Sequence, residues 1–359
     1  MIYSIITGSG SYLPALAVTN SEFEASIFHE STGERIERPI KEIIEKFQQI
    51  TGIHERRYVE DHMVSSDMAW HAAEKAIESA GIDKEKLDYI IVAHNFGDVR
   101  AGDTHVDIVP TLAARVKHKL GIDNPFTVAY DLPFGCPGWL QGLIQANYYI
   151  KSGDAKHILV IGSETLSRIS DPHDRDSMIY SDGAGAVVLS AVESEEPVGI
   201  MSHITRSDTK EQVFLLRMAR SYNSELKDQL YLKMNGRKLY EYALKTVPPS
   251  IKECIDKTGL DINHIERILI HQANEKMDDA IVNRLYELYG IKQRPEFSMP
   301  MTIASLGNNS VATLPILYDL IVTKNVDNHF LNPGDHFVFA SVGAGMNVNA
   351  IVYKMPESN

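Results

Sequence analysis

Two stretches of the chain carry the same succession of polar and apolar positions. Residues 76–95, AIESAGIDKEKLDYIIVAHN, and residues 254–273, CIDKTGLDINHIERILIHQA, align without a gap. Each reads as a helix stopped by a glycine (Gly81, Gly259), a short acidic connection and an apolar strand, YIIVA or RILIH. A second pair, KSGDAKHILVIGS at 151–163 and LNPGDHFVFASVG at 331–343, repeats a turn, a strand and a glycine. Between these landmarks each half has a glycine-bearing turn that opens a helix: DLPFGCPGWLQGLIQANYYI in one, ASLGNNSVATLPILYDLI in the other. The pattern predicts a duplicated α/β unit whose sheets are covered by helices, with 1–192 as one half and 193–359 as the second. Tandem copies of like fold pack about a pseudo-twofold axis, so their equivalent loops are expected to meet.

Composition narrows the classes. A chain of 359 residues, 44% hydrophobic and 23% charged, is globular and large enough for two cores. The start, MIYSIITGSGSYLPALAV, lacks a basic leader and is broken early by Gly, Ser and Pro, so it reads as a first strand. No run approaches the roughly 18 apolar residues of a membrane span. A soluble, cytoplasmic protein without membrane contact is the expectation. The formal charge of −13 argues against nucleic-acid binding, and an acidic partner would need a local basic patch. With two cysteines there is no disulfide framework, and without a paired CxxC or an HExxH no metal site is expected. Cys254 falls in an amphipathic helical pattern and reads as a small buried apolar group.

Cys136 has a different setting. After it, Trp139, Leu143, Ile144 and Tyr148 recur at helical spacing, and Pro137 suits a first helical position. That places Cys136 near a helix N-terminus, where unpaired N–H groups favour thiolate, the nucleophilic form. His271 ends the strand RILIH, and Asn308 lies in SLGNNSV, where Asn309 or Ser310 would serve equally as a helix cap. On equivalent loops of a duplicated fold the three make a nucleophile with two neutral hydrogen-bond donors. Such a set accepts an acyl group from a thioester and stabilises the enolate left when a malonyl group loses carbon dioxide. A hydrolase in which His271 acts as base to the thiol stays open on these residues alone.

GSGSYLP (8–14), TGIHERR (51–57), GCPG, GSETLSRISDPHDRD (162–176), SDGAGAVVL (181–189), KMNGR (233–237), HQAN (271–274), GNNS (307–310) and SVGAGM (341–346) together span almost the whole chain. In these motifs the sequence resembles the ketoacyl synthase III branch of the thiolase superfamily. The resemblance implies a layered α-β-α-β-α thiolase-like fold and condensation of an acyl primer with malonyl-acyl carrier protein. It implies that Cys136 is acylated, that His271 and Asn308 promote decarboxylation, and that an oxyanion hole joins the Cys136 amide to one of the loop Gly343 to Gly345. It also implies substrate contacts by Arg175, Arg237 and Asn274, carrier docking at Lys276, a homodimer, and no cofactor beyond acyl-CoA or acyl-carrier-protein substrates. Arg115, Lys117 and Lys119 would extend a basic patch, or form a solvated face.

Departures from the family are local. Family members that use coenzyme A thioesters carry a tryptophan and an arginine where Lys46 and Ile50 stand, while Arg175 matches the arginine across the adenine. Residues 26–48 add a charged segment, read as a helix over the entrance. Residues 94–110 form an extended loop with Asp98, Asp103, His105 and Asp107, read either as solvated or as reshaping the acyl tunnel. Two further readings follow from these departures: a specialised condensation that joins two acyl thioesters, and a non-catalytic partner subunit that shapes another synthase's tunnel.

Overall fold

The computed structural model describes every residue except 227, 228, 325, 327, 358 and 359. The N-terminal part runs β1 (Ile2–Tyr12), β2 (Leu16–Thr19), α1 (Ile40–Thr51), β3 (Glu55–Tyr58), α2 (Ser65–Ala80), β4 (Tyr89–Ala93), α3 (Leu112–Leu120), β5 (Val128–Leu132), α4 (Gly138–Ser152), β6 (His157–Thr165) and β7 (Asp182–Glu193). There follow β8 (Gly199–Ser207), the short α5 (Thr209–Gln212), β9 (Leu216–Arg220), β10 (Leu230–Met234), α6 (Gly236–Asp256), β11 (Ile265–Ile270) and α7 (Glu275–Glu287). The short α8 (Ile303–Leu306), α9 (Thr313–Lys324), β12 (His336–Gly343) and β13 (Asn347–Lys354) complete the chain.

Two mixed sheets dominate, ordered β1-β7-β6-β4-β5 and β8-β13-β12-β11. Read from β1 and from β8, their strand directions agree: two antiparallel pairings come first, then a parallel one, and the first sheet adds β5 in parallel at its edge. At the matching edge of the second sheet the backbone near Ser298 accepts one hydrogen bond from Ile268 N–H, 2.8 Å. The repeated sequence patterns fall on corresponding elements. Gly81 and Gly259 end or follow α2 and α6 with φ of 62° and 75°, where a side chain would be strained, and β4 and β11 come next.

Alternation within the strands builds the layers. In β4 and β6, Ile90, Val92, Leu159 and Ile161 face a core with α2 and α3, while Ile91, Ala93, Ile158 and Val160 face α4. In β12, Val338, Ala340 and Val342 face α6 and α7, while Phe337 and Phe339 turn to the same central layer as α4. Helices α4 and α9 fill that layer with Trp139, Leu143, Leu314 and Leu317. The result is helix, sheet, helix, sheet, helix. Because both faces of these strands are buried, they read as continuous apolar runs such as ILVIG and FVFA. Cys254 is wholly buried on α6, as expected. Among the described residues no helix is long and apolar enough to cross a membrane, and no group of three or more His, Cys, Asp or Glu could hold a metal ion.

Candidate active site

Cys136 sits where the central helix begins. Its loop, Phe134–Pro137, meets the turn after β12, and the approach is so close that only glycine fits at two points. A Cβ on Gly343 would lie 2.5 Å from Cys136 N, and one on Gly135, whose φ is 69°, would lie 2.8 Å from Ala344 N. Helix α4 starts at Gly138, one residue later than expected, with Pro137 in the capping position. The expected lowering of the thiol pKa is reversed. Desolvation pushes Cys136 up to about 11, and the nearby Glu164 adds to the rise, against a hydrogen bond from the Ser310 hydroxyl that favours thiolate. At neutral pH this thiol is therefore protonated.

His271 follows β11 directly, and its N–H donates to Ala340 O at 2.8 Å, which fixes it beside β12. The ring is buried and its Nδ1 has no partner. Burial alone pulls the imidazole down to about 4, so it is neutral through the physiological range. Asn308 is placed by backbone pairing with the segment that leads into β7: Asn308 N–H donates to Ile179 O and Ser181 N–H donates to Asn308 O, both at 2.9 Å. Its Oδ1 accepts from Ser310 N–H at 2.7 Å, which leaves the amide NH2 as the side chain's available donor.

Cys136, His271 and Asn308 line one pocket of about 240 Å³ with Ser310, Gly343 and Ala344; the remaining wall is largely apolar, including Phe96, Leu166, Tyr180, Met218 and Leu232. Met234, Leu239, Ala273 and Met277 line both this pocket and an outer cavity of about 650 Å³ that opens beneath α1, so the two form one path to the thiol. Of the 26–48 segment read as a helix over the entrance, 26–39 is not helical and only its end enters α1, whose Ile43, Lys46, Phe47 and Ile50 line the outer cavity with Arg175.

The other expected residues divide. Arg175 lies at the mouth of the outer cavity and pairs with Glu30 at 3.5 Å. Asn274 lines that cavity too, but its Oδ1 caps α7 by accepting from Met277 N–H at 3.1 Å. Arg237 is 90% exposed, pairs with Glu241 at 3.1 Å and borders a neighbouring cleft. Lys276 is exposed on α7 and lines neither cavity. Gly343 and Ala344 line the pocket and Gly345 does not; a Cβ at Gly345 would meet the Asn347 side chain. The suggested basic patch on α3 is spent internally. Arg115 bonds Asp98 and Asp107 at 2.7 and 2.6 Å, Lys119 pairs with Asp67, and Lys117 donates to two backbone carbonyls at 2.7 Å.

In the 94–110 loop, Asp98 is buried and accepts from Ser66 N–H and its hydroxyl, and Asp103 pairs with His105 on the surface. Only Asn95 and Phe96 of this loop reach the pocket. Three residues near the thiol escaped the sequence reading: Asn95, Glu164 and Ser310, the last named only as an alternative cap. The available signal was a glutamate inside the buried strand run HILVIGSET.

Comparison with known proteins follows the same outline. The family described as 3-oxoacyl-[acyl-carrier-protein (ACP)] synthase III matches residues 130–209, and its C-terminal counterpart matches residues 255–355. A beta-ketoacyl-[acyl-carrier-protein] synthase III of Ehrlichia canis is 34% identical over 346 residues, covering 96% of both chains. One of Clostridium perfringens is 32% identical over 356 residues, covering 98% of each. The crystal structure of the synthase III from Thermus thermophilus superposes with a TM-score of 0.80 at 30% identity, covering 99% of this chain and 100% of that one.

Proposed function

The chain belongs to the 3-oxoacyl-[acyl-carrier-protein] synthase III family and is a condensing acyltransferase of that type, and on this premise we propose the reaction it performs. An acyl thioester primer is condensed with malonyl-acyl carrier protein, with loss of carbon dioxide, to give a 3-oxoacyl-acyl carrier protein through an acyl-Cys136 intermediate. The observation that carries the proposal is the convergence of a thiol and two neutral donors at the end of one apolar path.

In the first half-reaction the Cys136 sulfur bonds the acyl carbon, the primer's carbon–sulfur bond breaks, and the thiol proton leaves with the departing sulfur. Cys136 N–H and an amide of the Gly343–Ala344 turn hold the oxyanion. In the second, the malonyl thioester oxygen accepts from His271 and Asn308. Carbon dioxide departs, its electron pair forms the enolate, and the enolate carbon attacks the acyl carbon while Cys136 leaves as thiolate. A desolvated imidazole ionising near 4 is a weak general base but a good neutral donor, which favours this role over a Cys/His hydrolase.

An acyl carrier protein is the proposed partner. Arg35, Arg38, Lys46 and Arg175 line the outer cavity together with Glu30, Glu37 and Asp176, and these four cations are what an acidic carrier surface would meet there on a protein of net charge −13. Lys276 stands exposed nearby in sequence. A homodimer is proposed from Phe126, just before the edge strand β5, and Val109, in the loop before α3, each 83% exposed. A specific observation supports carrier-borne primers or a second acyl thioester. Arg175, which the family resemblance places at the adenine, is engaged by Glu30 from the added segment.

The test is intact-protein mass after incubation with acyl-CoA and acyl-carrier-protein thioesters, followed by malonyl-carrier protein and product analysis. Acyl mass confined to Cys136 and discharged as 3-oxoacyl-carrier protein is the expected result. Discharge only by a second acyl thioester would replace the proposal with the specialised condensation. Undiminished product from Cys136→Ala would overturn the covalent route.

A further inference from the structure

We propose that Ser310 is a further catalytic residue, whose hydroxyl donates to the Cys136 sulfur and stabilises the negative charge that develops there, and that Asn95 and Glu164 are the positioning residues that aim it. The inference rests on Cys136 as the nucleophile and not on any choice of primer.

The geometry is a directed chain. Ser310 Oγ lies 3.4 Å from Cys136 Sγ as donor, and Asn95 Nδ2 donates to Ser310 Oγ at 3.1 Å. Asn95 occupies one acceptor site of that oxygen and leaves its proton to be given to the sulfur. The same Asn95 amide donates its second proton to Glu164 Oε2 at 2.7 Å, and Asn95 N–H donates to that oxygen at 3.1 Å. Asn95 is thereby held at both ends. Its strand end is pinned as well: His94 Nδ1 accepts from Gly97 N–H at 3.0 Å, so Nε2 is the protonated nitrogen and donates to Asp131 at 2.9 Å.

Two independent features mark Ser310 as more than a cap. It is 4% exposed, and it adopts φ of 51°, in the left-handed region where a side chain is strained. Strain of this kind persists where the surroundings over-determine it, and functional sites are where it collects. Its backbone N–H holds Asn308, and its side chain reaches Cys136, so one strained residue fixes two members of the site. Glu164 is wholly buried with Oε1 unpartnered, and burial pushes it up to about 7. Below about 7 its neutral form holds the Asn95 hydrogen bonds without opposing charge on sulfur, and above it the carboxylate opposes that charge, which the Ser310 donor then offsets.

Sulfur is charged twice in the cycle. During acylation the thiol proton leaves with the primer's sulfur as the Sγ–carbon bond forms. During condensation the Sγ–carbon bond breaks and Cys136 departs as thiolate, which solvent then protonates. A donor fixed at Ser310 serves both steps.

The experiment is alkylation of Cys136 by iodoacetamide in the full-length protein from pH 7 to 11, followed by intact mass and peptide mapping, in wild type, Ser310→Ala, Ser310→Thr and Asn95→Ala. Ser310→Ala leaves the N–H bond to Asn308 in place. It is expected to raise the apparent thiol pKa and slow alkylation at pH 8 about tenfold, the equivalent of one pKa unit. Asn95→Ala is expected to shift the profile less, in the same direction, and Ser310→Thr to restore it. A Ser310→Ala profile that superposes on wild type would overturn the proposal. Should that variant fail to fold, an unshifted Asn95→Ala profile would do the same. The readout needs no acyl substrate, so a failure of the condensation reading leaves it interpretable.

Discussion

At Cys136 burial and hydrogen bonding pull in opposite directions, and burial wins. The thiol ionises near 11, so its reactivity depends on the groups that stabilise charge as it forms, not on a standing thiolate. In the proposed reaction His271 and Asn308 serve the condensation half. Replacing either with alanine is expected to slow condensation by roughly 10²–10³, the cost of losing one donor at a developing oxyanion, while Cys136 still acylates. Stopped reactions weighed by intact mass separate the two steps. Because His271 is neutral above about 4, its variant and the wild type are expected to share the same pH dependence of condensation from pH 6 to 8. An acid limb near 6.5 that disappears in His271→Ala would show that the imidazole acts as a base instead. That Cys136, His271 and Asn308 belong together was legible in sequence as a candidate, because GC, HQAN and GNNS are short motifs, and the three do line one pocket. Asn95 and Glu164 were not, since their roles exist only through bonds to residues 69 or more positions away.

Elements decide how tightly these side chains are held. The Gly343 turn and the Cys136 loop come from different halves of the chain, and a methyl group at 343 would overlap Cys136 N. Gly343→Ala is expected to lower both acylation and condensation at least tenfold and to reduce thermal stability; retained activity with unchanged melting would show that the turn relaxes freely. The β9–β10 hairpin supplies Leu216, Met218 and Leu232 to the acyl pocket. It is clamped by Lys233, buried between Asp171 and Asp174 with its ammonium 3.4 Å from the Tyr222 ring centroid. Lys233→Met leaves two buried carboxylates without their cation and is expected to cost about 3–5 kcal/mol, measured by denaturant unfolding. It should also broaden the range of acyl chains that load Cys136, since the pocket wall loses its anchor. The hairpin strands were not anticipated from the sequence, whose polar and apolar alternation there is short and mixed. The helix and strand repeats were, because their periodicity extends over 20 aligned residues.

For the whole molecule, pH dependence follows from carboxyl groups placed in the core. Glu164 and Asp176 are raised to about 7 and Asp182 to about 6, each chiefly by desolvation. A raised pKa means the folded state binds a proton that the unfolded chain has released, so this stability is present below about pH 4 and is lost as pH rises through 6 to 7. His271 acts in the opposite sense: its depressed pKa contributes stability above about 6.5 that is lost as pH falls towards 4. Asp278, raised well above its ordinary value by burial, adds to the carboxyl side, and His157, His203 and His336, lowered by desolvation, act in the same sense as His271. Glu164→Gln is therefore expected to raise the melting temperature at pH 8 and change it little at pH 5. Thermal scans at the two pH values check this, and an equal shift at both would locate the effect in packing rather than ionisation.

The sequence by itself determined the duplicated α/β pattern, because strands buried on both faces must be apolar throughout and helices that cover them must repeat at their own period. It also singled out Cys136, His271 and Asn308, which the fold brings into one pocket, because their motifs are contiguous. Tertiary structure alone decided the electrostatics and the fine geometry. How much water a thiol or an imidazole loses depends on what packs around it, and no local pattern records that. The same holds for Arg115 and Lys119, which read as a basic patch and prove to be neutralised by aspartates from elsewhere in the chain. It holds again for Ser310, where a left-handed backbone brings one hydroxyl within reach of the reacting sulfur.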